Sequence, residues 1–336
     1  MTHNSETHIR ACLESLLDDP AGPKQVVVVD NGSTDTTHAI VKEFAVDSVF
    51  LDANEGFPYG CNRGAAEAFY DTYVFLNPDA VALPGWLPPL MEQLDDVGVG
   101  TAMPVMELTY KPGHYFTSHS ALTFLGFAWS TDWGEPVPAD LPLGEVPFPS
   151  GAAFAIRKEL FELLDGFRAH YFLYLEDVDL GWRVRLRGLR NMQVPSSRVR
   201  HDYDFNRHAR KMFYLERNRF HMVLANYEPR TRRMLIPALV AAELGVVVAA
   251  LRHGWFDDKR EAWKHLWTTR KQISEDAEAT RQIRVVGDAA ILSRMDSAVT
   301  GINQMPVSPL VKLINPLMGS YLRVVTSLVN RLNSSR

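Results

Sequence analysis

Gln25-Val26-Val27-Val28-Val29-Asp30-Asn31-Gly32-Ser33-Thr34-Asp35 is the stretch whose reading decides the fold. Four consecutive valines with no polar alternation predict a strand buried on both faces. Asn31 to Asp35 reads as a turn followed by a helix cap, with the helix over 36–45. Upstream, Ile9, Leu13, Leu16 and Leu17 fall at helical spacing, and Asp18, Asp19, Pro20 and Gly22 stop that helix.

The pattern repeats downstream. Asp47–Asp52 reads as a short strand, Asn54–Gly60 as a glycine-containing loop, Arg63–Tyr70 as a helix and Tyr73–Leu76 as another buried strand. Alternating strands and helices predict an α/β domain with a mostly parallel sheet flanked by helices. Such sheets bind ligands beyond the carboxyl ends of their strands, where Asp30 and Asn77-Pro78-Asp79 stand. Residues 107–149 break the rhythm with Trp129, Trp133 and six prolines. They read as a long excursion over the sheet's ligand edge. From Ser150 a glycine turn, a helix over 157–164, a helix from about 176 to 187 and a strand Asn191–Val194 follow.

The composition is that of a globular chain, with 46% hydrophobic and 22% charged residues among 336. Two cysteines, Cys12 and Cys61, support neither a disulfide framework nor a zinc ligand pattern. The first ten residues show no basic-then-apolar leader, so the expected compartment is the cytoplasm. The net charge of −5 is unevenly spread. Residues 1–206 carry 14 Lys/Arg and 29 Asp/Glu, a balance of −15; residues 207–336 carry 21 and 11, a balance of +10. A basic tail suits an anionic surface, although a solvated helix face explains it equally.

The individual motifs each have a bland reading beside a chemical one. Asp30 either ends its strand or accepts hydrogen bonds from a nucleotide base or ribose. Asn54–Gly64 is either an irregular turn or a close backbone approach to a ligand, permitted by Gly56 and Gly60, with Arg63 reaching a base or phosphate. Asp79 after Pro78 is either a strand exit or the carboxylate that holds a divalent cation together with substrate phosphates. Glu176-Asp177-Val178-Asp179 suits the dipole of a helix start, and Asp179 pairs with Arg183 at i,i+4. Two adjacent acids after Tyr171-Phe172-Leu173-Tyr174-Leu175 are better explained by an aromatic surround that raises a carboxylate pKa, as a general base needs. His201 follows Arg198-Val199-Arg200 and is a histidine of no fixed role by itself.

The ordered set is more specific than its parts. Asn4-Ser5-Glu6, Val29 to Asp35, Asn54 to Gly64, Leu76 to Ala80, Ser150 to Lys158, Leu175 to Arg183 and His201 together resemble the inverting family-two glycosyltransferases of GT-A fold. The branch most resembled builds bacterial cell-wall or surface polysaccharide with L-rhamnose, and the run Arg210 to Arg219 is typical of it. The resemblance implies nucleotide-sugar contacts at Asp30, Asn31, Gly56, Arg63, Asn77 and Asp79. It implies a Mn2+ or Mg2+ ion on Asp79 and His201, with Asn77 replacing the first acid of the family's acidic pair. Asp177 becomes the general base beside Glu176, and Gly151, Ala152, Trp182 and Arg183 line the donor and acceptor sugars. The donor expected from the branch is dTDP-rhamnose, and the acceptor a glycan or polyprenyl-linked sugar. The resemblance also implies an apolar first strand ending at Thr2-His3-Asn4. The chain opens directly on a helix, so a sheet lacking that strand is expected, from a start codon placed too late in preference to a natural truncation.

The expected domains are a transferase domain over 1–228 and a helical, basic tail over 229–336. Met234–Leu251 is almost wholly apolar, and 18 residues of helix reach about 27 Å. Glu243, Pro237 and basic residues on both flanks favour a helix lying at the inner membrane face over a span. A hairpin that makes a homodimer is the alternative. Residues 310–332 read as amphipathic, with Lys312, Arg323 and Arg331. No dinucleotide or P-loop glycine motif is present, so a dehydrogenase or a P-loop NTPase is excluded. Nucleic-acid binding has no aromatic-lined basic groove behind it. A transferase using a UDP-hexose and a non-catalytic scaffold remain as alternatives.

Overall fold

The computed structural model describes residues 1–117, 120–202, 209–300 and 309–334, with no side chains given for 309–314 and 333–334. Lys312, expected on the amphipathic tail, is therefore outside the described side chains. The chain forms two compact units. The first comprises residues 1–120, 130–184 and 189–205; the second comprises 121–129, 185–188 and 206–336. The expected boundary at 228 thus falls inside the second unit.

The first unit opens with α1 (Ile9–Leu17), β1 (Val27–Asn31), α2 (Thr37–Val41), β2 (Asp47–Leu51) and α3 (Phe57–Glu67). β1 and β2 pair in parallel, and Ile9, Leu13, Val28 and Val41 bury a small core against them. α3 starts six residues before the expected helix. Pro58 is pre-organised for a first helical turn, and Gly56, at φ 91°, turns the chain into it. Gly60 and Gly64 sit within α3 because the helix packs closely: a Cβ on Gly60 would fall 2.3 Å from Met1 Cγ, and one on Gly64 3.2 Å from Val29 Cγ2.

The chain continues through β3 (Thr72–Leu76), β4 (Ala80–Ala82), α4 (Leu87–Leu94), β5 (Val99–Leu108) and β6 (Lys111–Thr117). A two-stranded hairpin, β7 (Ser120–Leu122) and β8 (Ala128–Ser130), is followed by β9 (Gly144–Val146), β10 (Ala153–Arg157), α5 (Lys158–Leu163), α6 (Glu176–Leu186) and β11 (Arg190–His201). The main sheet has the order β3-β10-β5-β11-β4, with β6 on β5 and β9 on β11. It is mixed, not mostly parallel. β10 runs antiparallel to both neighbours, β4 antiparallel to β11, and only β5 and β11 are parallel. The reason is the connection: among the described residues no crossover helix joins β5 to β10, and β10 starts at the end where β5 stopped. That reversal sets Ala152 beside Asn77, whose N–H donates to the Ala152 carbonyl at 2.8 Å.

β5 is buried at all ten positions yet carries Gly100 and Pro104, which blur a strand signal. Pro104 faces Val194, where β11 shifts register before resuming at Arg198. The expected strand Asn191–Val194 and His201 are therefore one long strand with a bulge at Pro195.

Thr2 makes a parallel bridge to Asp30, donating to the Val29 carbonyl and accepting from Asn31 N–H, both at 2.8 Å. Beside it lies a cleft of about 650 Å³ lined by Met1, by Val26 and Val27–Val29 at the start of β1 and by Thr72–Leu76 of β3. Its lining reaches Asn77 and Pro78 but holds none of Asp79, Glu176, Asp177 or His201.

The second unit is helical: α7 (Lys211–Asn226), α8 (Pro229–His253), α9 (Phe256–Thr268), α10 (Arg270–Ile283), α11 (Asp288–Leu292) and α12 (Pro309–Ser334). A buried ion cluster ties it together. Glu216 accepts from Arg219 at 2.8 Å and from Lys259, and Lys259 also pairs with Glu243 at 2.5 Å. α8 is long and apolar enough to cross a membrane, with a mean hydropathy of 2.3 over its most apolar 18 residues, 17% of which are buried.

Candidate functional site

The strand ends of the first unit gather the polar motifs on one rim. β3 ends at Leu76, just before Asn77, β5 at Leu108 and β11 at His201, while β4 and β10 start there at Ala80 and Ala153. His201 pairs with both Leu108 and Ala80 in the sheet. Its Nε2 lies 3.1 Å from Asp79 Oδ1, with both side chains buried. The ring of Phe116, from β6, stands edge-on to the imidazole at 4.6 Å and also meets Trp133 at 5.1 Å.

An acid and an imidazole at this spacing fit a divalent cation. Two neighbouring ligand atoms each about 2.1 Å from one ion are separated by about 3 Å. Asn77 Oδ1 is buried on the same strand end, with no hydrogen-bond partner among the described residues. Such an amide oxygen is itself a hard-cation ligand.

Glu176 and Asp177 begin α6. Asp177 Oδ2 accepts from Gly151 N–H at 2.7 Å, and Oδ1 from Val178 N–H at 2.8 Å. A Cβ on Gly151 would sit 3.2 Å from that carboxylate oxygen, so glycine keeps the approach open. Glu176 is buried, and its Oε2 has no hydrogen-bond partner among the described residues. Among the described residues no cation pairs with either acid. Burial, then the neighbouring charge of Asp177, raises Glu176 well above the usual glutamate value. Burial also raises Asp177, but the N–H groups of Gly151 and Val178 oppose it. When one proton leaves this coupled pair, Asp177 is thus the better site for the charge and Glu176 keeps its proton.

The chain leading into the two acids is strained. Phe172, Tyr174 and Leu175 all have positive φ, at 63°, 69° and 65°. Phe172 centres a γ-turn closed by Leu173 N–H to the Tyr171 carbonyl at 2.6 Å, the rare form of that turn. The Phe172 carbonyl accepts from Phe57 N–H at 2.7 Å, and Gly56 lies against the turn so closely that a Cβ would be 2.5 Å from that oxygen. Three such residues within four positions mark a segment that its surroundings over-determine, as at functional sites. The aromatic run before Glu176 was legible in sequence; its backbone conformation was not.

At β1 the two polar loops are stitched together. Asn31 donates to Asn54 Oδ1 at 3.0 Å and to the Gly56 carbonyl at 3.1 Å, and accepts from Glu55 N–H at 3.0 Å. Asp30 is buried, accepting from Ser33 N–H at 3.1 Å and lying 3.5 Å from His38. Asn4 accepts from Thr34 N–H at 2.8 Å, and Glu6 from the Thr36 hydroxyl at 2.6 Å. Arg63 lies on α3 and pairs with Glu67 at 3.3 Å.

Trp182 and Arg183 sit elsewhere than a ligand surface would require. Trp182 is fully buried. Arg183 donates to Asp179 at 2.8 Å and to the carbonyls of Leu164 and Gly166. Asp179 also takes Arg168 at 2.7 Å. The guanidinium is committed to holding the base of α6, which corrects the expected contact with acceptor or phosphate. The i,i+4 pair itself was legible.

This is an α/β fold with a polar rim at its strand ends, the architecture of a GT-A nucleotide-sugar glycosyltransferase. Residues 1–164 match Glycosyl transferase family 2, and the chain belongs to that family. It is 28% identical to an N-acetylglucosaminyl-diphospho-decaprenol L-rhamnosyltransferase of Mycobacterium tuberculosis, over 60% of this chain and 74% of that protein. It is 25% identical to the O-antigen chain rhamnosyltransferase WbaN of Salmonella anatum, over 59% of this chain and 63% of that one. Among solved structures, GalNAc-T7 with UDP, GalNAc and Mn2+ shares the fold at a TM-score of 0.55 and 15% identity, over 66% of this chain and 46% of that one. S. aureus TarS 1–349 in complex with UDP does so at 0.50 and 16%, over 100% and 90%.

Proposed function

We propose that this chain transfers L-rhamnose from dTDP-rhamnose to a hydroxyl of a glycan or polyprenyl-linked acceptor, with inversion at the sugar carbon. The observation that carries the reading is the state of Asp177: an uncompensated carboxylate held by two backbone N–H groups at the start of α6, beside the strand-end rim. The donor sugar is assigned from two relatives whose names specify rhamnosyl transfer.

Asp30 and Asn31 are proposed to meet the nucleoside and Gly56 to let backbone approach it, with Arg63 near the base. Asn77, Asp79 and His201 face the diphosphate, and Gly151 and Ala152 line the sugar. A divalent ion, Mn2+ or Mg2+, on Asp79 and His201 would neutralise charge on the leaving diphosphate. Asp177 takes the proton of the acceptor hydroxyl as that oxygen attacks the face opposite the diphosphate. Glu176, keeping its own proton, leaves Asp177 as the single negative group of the pair. The lipid-linked acceptor and the apolar helix of the second unit support work at the inner membrane face.

The reading is tested with Asp177→Asn. Turnover is expected to fall roughly 10²–10⁴-fold, the range of a lost general base, while nucleotide binding is kept. Near-normal turnover would overturn it.

A further inference from the structure

One face of α8 is apolar, exposed and bounded by cations. Ile236, Val240, Leu244, Val248 and Leu251 are each between 49% and 64% exposed. Their spacing of four, four, four and three residues puts them on one stripe of the helix. From Ile236 to Leu251 the stripe is about 22 Å long. Exposed Arg230 and Arg233 stand at one end of it, and exposed Arg252 and His253 at the other.

The opposite face of the same helix is spoken for. Leu235, Ala238 and Ala250 are buried. Glu243, the acid of this helix, turns inward to Lys259 at 2.5 Å, Arg219 at 3.2 Å and the Trp263 indole N–H at 2.6 Å. A helix crossing a bilayer as a separate span would drag that ionic cluster into hydrocarbon, where charges are costly. So α8 does not cross; it offers one side.

We propose that this stripe is a monotopic docking face for an anionic bilayer. The aliphatic row enters the boundary between headgroups and acyl chains, and the arginines at both ends reach lipid phosphates. A second copy of the chain fits worse. An antiparallel pairing of two stripes sets Arg230 and Arg233 against Arg252, and a parallel pairing sets each arginine against its own copy, like charge on like in both cases. An exposed apolar stripe of this length requires a partner, and the cations select an anionic one. The inference names the surface behind the membrane location proposed above and is independent of the donor sugar.

The test is co-sedimentation of the full chain with vesicles of phosphatidylcholine alone or mixed equally with phosphatidylglycerol. The chain is expected to bind the mixed vesicles at least tenfold more tightly, with the preference shrinking at high salt. Leu244→Glu and Val248→Glu, both at exposed positions, should abolish binding without changing Tm or the nucleotide-induced thermal shift. Arg233→Ala and Arg252→Ala should each weaken binding roughly fivefold. No vesicle binding by the full chain, or binding that Leu244→Glu leaves intact, would overturn the proposal. So would a dimer in light scattering that Leu244→Glu converts to a monomer. A normal nucleotide shift in these variants keeps a failure here separate from a failure of the catalytic reading.

Discussion

Glu176 and Glu216 are both buried carboxylates, and their surroundings push them in opposite directions. Glu216, in the helical unit, meets Arg219 and Lys259, which hold it below the usual glutamate range against the cost of burial. Glu176, in the sheet unit, has burial and an acidic neighbour and no cation, and it rises well above that range. Asp179, two residues beyond Asp177, repeats the compensated pattern with Arg168 and Arg183. The chain therefore has the means to neutralise buried acids and withholds them at Glu176 and Asp177. A fold stabilises itself with complete ion clusters, whereas a site that must exchange a proton keeps an incomplete one.

Each side of that contrast can be broken separately. The largest effect is expected from Asp177→Asn, a loss of roughly 10²–10⁴-fold in turnover measured on a rhamnosyl donor. Next is Glu216→Ala, which leaves Lys259 and Arg219 buried without their acid. It should cost about 3–5 kcal/mol of stability in urea unfolding followed by helical circular dichroism. A loss under 1 kcal/mol would mean that the cluster is not needed.

Asp79→Ala is expected to remove the manganese dependence of nucleotide stabilisation, a difference of about 2.7 kcal/mol at a hundredfold excess over Kd. The smallest effect is that of Glu176→Gln, and its sign depends on pH. Because the folded-state value of Glu176 is raised, the native protein is favoured at low pH. It loses stability as pH climbs from the ordinary glutamate value through the raised one. The glutamine variant does not titrate there, so its Tm should exceed the parent's by a few degrees at pH 8, with the gap closing toward pH 4. A lower Tm at pH 8 would show that Glu176 is stabilised as an anion.

The sequence made the rim legible because chemistry there is local. Asp30, Asn77, Asp79 and His201 stand at strand ends that β-branched runs and turn residues announce. The acidic pair Glu176-Asp177 stood out in the sequence from its aromatic approach, and the choice of Asp177 came from the resemblance. What was not readable is non-local. The antiparallel course of β10 follows from a connection without a helix. β5 was hidden by Gly100 and by Pro104, which the bulge of β11 accommodates. The positive φ of Phe172 goes with contacts to a loop more than a hundred residues earlier, at Gly56 and Phe57. Arg183 was placed near substrate by resemblance, but its donors are committed inside the protein, a fact that only three-dimensional partners reveal.

The account's central claim is a diphosphate rim on Asp79 and His201 beside an independent base at Asp177. It is tested most directly by melting the chain with dTDP, UDP and GDP, with and without manganese, in the parent, in Asp79→Ala and in Asp177→Asn. One nucleotide should stabilise the parent in a manganese-dependent way, the shift should vanish in Asp79→Ala, and it should persist in Asp177→Asn. Stabilisation by no nucleotide, or a manganese-dependent shift that survives Asp79→Ala, would contradict the account.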